Sequence, residues 1–444
     1  MRRYALILTL LPAALGAGPA LTVYNSDLAV VRETRTVTLK AGRQGLSISG
    51  LPARLDPTSV HLDGQGLRLL QQDFDYDLVS PDRVLEKYVD QPLKALGKGG
   101  QAYAGRLLSY EDGQLLLKLP GGRVLMLSRS ELGSIEFPEL PGGLLTKPTL
   151  VWDLEAQGAG EQDLGLSYMT AGLSWHAEYV AVLDKDEKSL DLNGWVSIDN
   201  QSGGAFEDAQ LKLMAGEIHR AAPPRDMMLK AAALALPAPA GDAAPAFAER
   251  SFADYHLYTL GYPVTLRQAQ QKQVQLMSAA KVPAVKKYLY DGEQRGAAVL
   301  VTVELKNDKA AGLGLPLPAG KWRIFKADGA GRELVGEDEA GHCAKDETLK
   351  LTLGNAFDVV GERTVLADEP RRGGDQASRQ VKVEIRNRRE EPVTVTVREH
   401  AWGQWDLGAS DAEWKRVDAG TFSAELSLKA GEVKDWTYTV RMKY

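Results

Sequence analysis

The chain has 444 residues, with 53 Lys and Arg against 59 Asp and Glu, a formal net charge of -6 at pH 7 and one cysteine, Cys343. At roughly 100 to 200 residues per domain, this length holds about two to four domains, and the apolar content suffices for real cores. The charges are spread along the chain, which excludes a basic footprint for nucleic acid or an anionic membrane surface, and the lone cysteine excludes an internal disulfide.

At the N-terminus Arg2 and Arg3 precede an apolar run from Tyr4 to Leu15, and small residues follow between Gly16 and Ala20. This is the pattern of a secretory signal, residues 1–20. The run is too short to cross a bilayer core of about 30 Å as a helix, and no later segment is longer. The mature chain is therefore expected in the periplasm, outer envelope or extracellular space, with no transmembrane anchor. Residues 21–79 alternate apolar and polar side chains in short runs and read as antiparallel strands. They end on QQDFDYDLVS, in which Asp73, Asp75 and Asp77 invite comparison with a calcium loop. Such a loop of the helix-loop-helix type needs Gly at its sixth position and Glu at its twelfth, which here are Leu78 and Val84. The spacing instead predicts a strand with Phe74, Tyr76 and Leu78 inward and the aspartates in water.

Residues 80–141 open with a helix: Ser80 is its cap, Pro81 its first residue, and Val84, Leu85, Tyr88 and Val89 share one face. Five short strands with Gly-rich turns follow, the element order of a small Sm-like or SH3-like barrel. Lys118, Arg123 and Arg129 stand among Glu111, Asp112, Glu131 and Glu136, so this unit presents no platform for RNA. Long alternating segments over 142–220 predict a β-sandwich. Residues 221–250 are rich in Ala and Pro and read as a flexible linker. Residues 251–375 continue the strand pattern, although 271–291 fits a helical period as well as an alternating one, with Pro283 against a continuous helix. Residues 376–444 read as a C-terminal sandwich of immunoglobulin-like size. The fold class is therefore mainly β: antiparallel β-sandwich domains, an inserted small barrel and a C-terminal sandwich.

The stretches YDLVSPDRVLEKYV, IEFPELPGGLLTKPTLVW, GLSWHAEYVAVL, LNGWVSIDNQSGGAFEDAQLKLMAGEI, LGNAFDVVGERT and EIRNRREEPVTVTVREH resemble, in number and order, bacterial proteins carrying domain of unknown function 4139, related to the mucoidy-inhibitor family. The resemblance runs from about residue 20 to the C-terminus and implies an exported, mostly β protein. It transfers no catalytic residue.

The six histidines, His61, His176, His219, His256, His342 and His400, form no paired-ligand motif, and no nucleophile elbow, phosphate loop or dinucleotide fingerprint is present. His176 and Glu178 share a strand face, yet no nucleophile is specified beside them. His342 and Cys343 lack further ligands at metal spacing and read as a surface turn with an idle thiol. Trp402, Trp405 and Trp414 are the candidate aromatic binding surface, for a sugar ring or a partner, against core anchoring. The sequence specifies no cofactor, metal or catalytic residue. The expected function is a non-enzymatic interaction or structural scaffold of the cell envelope, whose partner is another envelope protein or a surface polysaccharide. The alternative is a carbohydrate-binding or carbohydrate-active protein.

Overall fold

The computed structural model describes residues 18–75, 80–139, 141, 147–216, 218, 247–329, 331–369 and 376–443. The signal segment up to residue 17, Asp77 and residues 221–246 of the Ala/Pro-rich stretch lie outside them. Residues 247–250 do not belong to a linker: they begin the strand Phe247–Phe252, which forms a hairpin with Tyr255–Leu260. No helix among the described residues is long and apolar enough to cross a membrane.

The chain divides into two compact units. One comprises Met1–Ser174, Asp199–Leu213 and Tyr262–Gln271, the other Trp175–Ile198, Met214–Gly261 and Lys272–Tyr444. In the first unit, Ala29–Leu39 pairs antiparallel with Ala20–Tyr24 and Gly160–Thr170, and Thr149–Ala156 pairs with Gly42–Ser49 and Leu67–Asp75. Alternation carries these strands as expected: Leu21, Val23, Val31, Leu154, Leu164 and Leu166 are buried while their neighbours face out. Asp73 and Asp75 are exposed on Leu67–Asp75 with Phe74 between them turned inward, so the acidic run is one wet strand face.

The helix forms as Pro81–Lys87, with the Ser80 hydroxyl accepting from the Arg83 amide at 3.2 Å and Val84, Leu85 and Tyr88 buried. These pack against Leu93, Ala95, Leu107, Leu115 and Leu117 of the five strands that follow. The spatial order is Leu132–Glu136, Pro92–Gly97, Ala102–Glu111, Gln114–Lys118 and Val124–Ser128, every ladder antiparallel. The sheet does not close into the expected barrel. The 3-10 turn Arg129–Glu131 carries the chain from one edge of the sheet to the other, and no ladder joins Val124–Ser128 to Leu132–Glu136.

The second unit is one long strand path. Gly331–Ala340, Gly320–Asp328, Leu173–Leu183, Ser189–Asn200, Gln270–Tyr290, Ala298–Lys306, Thr348–Glu369, Gln376–Asn387, Val433–Lys443 and Gln404–Ser410 follow one another in space. Val393–His400 pairs with the end of Gln270–Tyr290 and leads to Thr421–Leu428. Two ladders are parallel, Leu173–Leu183 with Gly320–Asp328 and Gln270–Tyr290 with Val393–His400, where the sequence suggested antiparallel pairing throughout. The ambiguous segment is a strand of 21 residues, Gln270–Tyr290. Lys281 sits within it at φ 54 and its amide donates to Asp191, so a kink just before Pro283 lets one strand serve two successive ladders. The C-terminal core reaches back past residue 376 to include Tyr288, Tyr290, Val299, Val301 and Val359.

Three strands end alike: VSIDN to Asn200, VELKN to Asn307 and VEIRN to Asn387. In each the Val, the Ile or Leu and the Asn are buried. Each buried amide pins the loop that follows. Asn200 donates to Gly204 and Leu266 carbonyls, Asn307 to Leu315 and Ala344, and Asn387 to Glu391 and Lys429. Each side-chain oxygen accepts a loop amide, from Ser202, Gly314 and Arg389 respectively. Asn307→Ala strands several buried carbonyls and an amide, and should lower unfolding free energy by about 2–3 kcal/mol, read as a fall in urea midpoint at unchanged slope.

Candidate functional site

LGNAFDVVGERT lies in Thr348–Glu369 and breaks its pairing there. Asn355 pairs with Leu300 and Val360 with Ala298, so Ala356 to Val359 stand opposite the single residue Val299. On the other side, the ladder to Gln376–Asn387 begins only at Val359. Ala356, Phe357 and Asp358 belong to neither ladder. The bulge opens at Gly354, with φ 142, a conformation that a β-carbon disfavours, and it turns Phe357 out to 93% exposure.

Phe357 borders a groove of about 250 Å³ whose walls include Tyr288, Val301, Val335, Leu353 and Arg389. Val335 and its neighbour Leu334 are themselves exposed, which extends the apolar surface. Charge enters from Glu187, held between Lys286 at 2.6 Å and Lys326 at 2.8 Å. Burial pushes the Glu187 carboxyl up, but the two ammonium groups outweigh it and hold it below the ordinary range. Glu187 occupies a left-handed backbone position, φ 57, in the turn between Leu173–Leu183 and Ser189–Asn200. Arg389 reaches Glu391 at 3.3 Å, and its Nε is buried with no hydrogen-bond partner. The arrangement suits an apolar side chain flanked by polar contacts. It places no nucleophile and base together.

The same strand is clamped a turn of the pattern later. Arg363 Nε donates to Glu399 Oε2 at 2.9 Å, and the Tyr438 hydroxyl donates to the same oxygen at 2.6 Å. Glu399 is fully buried and its Oε1 has no partner, as is true of the buried Tyr290 hydroxyl. Burial raises the Glu399 carboxyl above its ordinary value against the opposing pull of Arg363 and Tyr438. It also pushes the Tyr290 phenol up to about 12. Beside them His400 Nε2 lies 2.9 Å from Asp291 Oδ2, while Asp291 Oδ1 caps the short helix Gly292–Arg295. Arg363 and Glu399 thus come together from LGNAFDVVGERT and EIRNRREEPVTVTVREH.

The three tryptophans do not share one exposed face. Trp402 is 52% exposed. Trp405 is buried, its Nε1 donating to the Ala419 carbonyl and its ring covered by the Arg416 guanidinium at 3.9 Å. Trp414 packs edge-on against Phe422 and Tyr438. His176 is exposed and 4.0 Å from Glu178, whose other oxygen accepts from Ser197 and Gln273. Ser197 is fully buried, and Glu178 sits beneath the exposed His176 and Gln273 with its second oxygen engaged by packing partners. Cys343 is not on a surface turn: it is buried in a bridge to Leu317, and burial raises its thiol pKa. Among the described residues, no group of three His, Cys, Asp or Glu side chains is placed to hold a metal ion. Sequence reasoning missed Phe357. Its signal was present in the Gly-Asn pair just before it, which marks a break in a strand.

These features define a mainly β protein of antiparallel, sandwich-like sheets with a bulge-borne apolar surface. The chain belongs to the family of the domain of unknown function DUF4139, whose model matches residues 164–444. The model of DUF4140, an N-terminal domain of unknown function, matches residues 21–113. No curated protein matches the chain. No solved structure matches it either.

Proposed function

We propose that this protein is an exported, non-enzymatic scaffold of the cell envelope that docks a protein partner on Phe357 and the groove beside it. The observation that carries the reading is Phe357 itself, 93% exposed on a bulge within the DUF4139 region. An aromatic side chain held in water on a shaped strand gains most when a partner desolvates it, and such anchors dominate interface energetics. Export rests on Arg2, Arg3 and the apolar run that follows them. The polysaccharide alternative retains a single exposed tryptophan, Trp402, and is weaker for that reason.

The test is a photo-crosslinking amino acid at position 357, in the full chain expressed at native level, followed by envelope fractionation. A discrete adduct with one envelope protein is expected. Phe357→Ala should weaken capture of that protein by about 30-fold or more, the loss of roughly 2 kcal/mol typical of an anchor residue, at unchanged melting temperature. No adduct in the envelope fraction, or capture indifferent to Phe357→Ala, would sink the reading.

A further inference from the structure

In the first unit, Ala29–Leu39, Gly160–Thr170 and His61–Asp63 lie side by side in unbroken antiparallel register. Directly opposed residues of such a ladder point to one face, so the pairing sets out two rows of side chains. Arg32, Ser167 and His61 form the first row, and Thr34, Gly165 and Asp63 the second. Ala20 pairs with Arg32 on its other side, and beyond it the Gln210 amide donates to the Pro19 carbonyl. A groove of about 390 Å³ crosses this face, with Arg32, Thr34, His61, Asp63, Ser167 and Gln210 around it. Small-molecule sites occupy about 300–1,000 Å³.

Two observations separate the groove from an ordinary wet sheet face. The first is its glycine. Gly165 sits in mid-strand, where glycine weakens pairing, and nothing in the fold asks for it. Its φ is not left-handed, and the ladders on both sides keep their register through it. A β-carbon there would meet only Asp63, whose own β-carbon stands at an ordinary contact distance of 3.4 Å. The remaining use of a strand glycine is to let something outside the chain approach the backbone. The second observation is the state of the side chains. One row further, the Thr36 hydroxyl donates to Asp163 at 2.6 Å, and Glu33, which also borders the groove, is held by Arg35 at 2.9 Å. Among the described residues, the six polar side chains around the groove make no hydrogen bond or ion pair of their own.

We propose that this groove binds a neutral saccharide, with one ring laid on the Gly165 backbone. Sugar hydroxyls both donate and accept, and the groove supplies partners of both kinds: Arg32 and Gln210 donate, Asp63 accepts, and the Thr34 and Ser167 hydroxyls do either. The free cation and the free carboxylate balance, which favours a neutral ring over an acidic one. The apolar lining is the Ala20 methyl and Leu166, itself only 2% exposed, so an acyl chain or an apolar peptide side chain gains nothing here. Gly18 and Ala20 border the groove at the end of the expected signal and carry no polar side chain. The polar partners are therefore the same wherever within residues 16–20 the signal is cut. The site uses neither Phe357 nor Trp402, and gives the scaffold a hold on glycan that is independent of its protein partner.

The test presents the full mature chain to an array of neutral oligosaccharides built from glucose, galactose, mannose or N-acetylglucosamine, beside uronic-acid oligosaccharides and zwitterionic dipeptides. Retention on a neutral oligosaccharide is expected, and calorimetric titration with that oligosaccharide then compares variants. Gly165→Thr should weaken binding by about tenfold or more while the melting temperature stays level or rises, because a β-branched residue favours the strand and only the ligand loses space. Asp63→Asn and Arg32→Gln, at exposed positions that leave the fold intact, should each weaken it by about tenfold. A chain that retains no neutral oligosaccharide overturns the proposal. Preference for the uronic acids or the dipeptides does the same. So does neutral binding that survives Gly165→Thr and Asp63→Asn, or that is lost in Trp402→Ala instead, since the sugar then sits on another surface.

Discussion

Arg363→Met should lower the stability of the chain by about 3 kcal/mol and its melting temperature by roughly 6–12 °C. Among the described residues Arg363 is the sole cation bonded to Glu399; Glu399 is fully buried and Arg363 largely so. Removing one partner of a buried ion pair leaves the other charge without compensation, which costs about 3–5 kcal/mol in general. The low end applies here because Glu399 is already disposed to take a proton: burial outweighs its partners and sets its carboxyl above the ordinary value. Burial works against the Arg363 charge too, but Glu399 and Tyr438 outweigh it and keep the guanidinium firmly protonated. Arg363→Met therefore drives Glu399 to the neutral acid, with the Tyr438 hydroxyl still donating to it.

The same argument fixes a pH dependence. A carboxyl whose folded-state pKa lies above its unfolded value binds its proton more tightly in the folded chain. Its contribution is fully present below the ordinary carboxylate range and is lost as pH rises through the folded pKa. Glu399→Gln, neutral at every pH, lacks this slope. Its deficit relative to wild type should be largest in acid and shrink toward neutrality, whereas a deficit that grows with pH would mean that Glu399 is held ionised. Denaturant titrations of both chains between acid and neutral pH separate the two outcomes.

Local signals were legible in the sequence wherever one residue decides one conformation. Ser80 and Pro81 start a helix, and alternation in Leu67–Asp75 puts Asp73 and Asp75 in water. What the sequence hid depends on pairing between distant strands. Closure of a small barrel requires a ladder between its fourth and fifth strands, and nothing in VLMLS or LGSIE records whether that ladder forms. Parallel pairing of Leu173–Leu183 with Gly320–Asp328 joins residues more than a hundred positions apart. Phe357 was hidden by its own register. A period of two counted from the buried Val359 assigns Phe357 to the same inward face, and only the bulge inverts it. The three Asn corners were readable as V-x-[IL]-x-N, but they recur at unequal intervals, and a search for a fixed period passes over them.

Gly361→Ala should destabilise the chain by more than about 3 kcal/mol, beyond the usual range for an overpacked core position. A β-carbon at Gly361 would fall 2.1 Å from Tyr290 Cε2 and 2.4 Å from Cδ2. The ring has little room to retreat, because it is fully buried. The backbone cannot retreat either: the Gly361 amide donates to the Ala297 carbonyl, and Gly361 is paired with Ile385. Tyr290→Leu alone should cost about 1–3 kcal/mol for the cavity it leaves, reduced by removal of a buried hydroxyl that has no partner. In the double variant the smaller side chain vacates the space the new methyl needs. The pair should therefore be more stable than Gly361→Ala alone, a coupling of opposite sign to simple addition. Strict additivity would show that the ring contact is not the cause. Gly361 lies four residues from Phe357 on one strand, so whatever strain the clash puts into that strand should be felt at the bulge. Partner capture at Phe357, measured well below the melting temperature of each variant and corrected for the folded fraction, should fall in Gly361→Ala and return in the double variant.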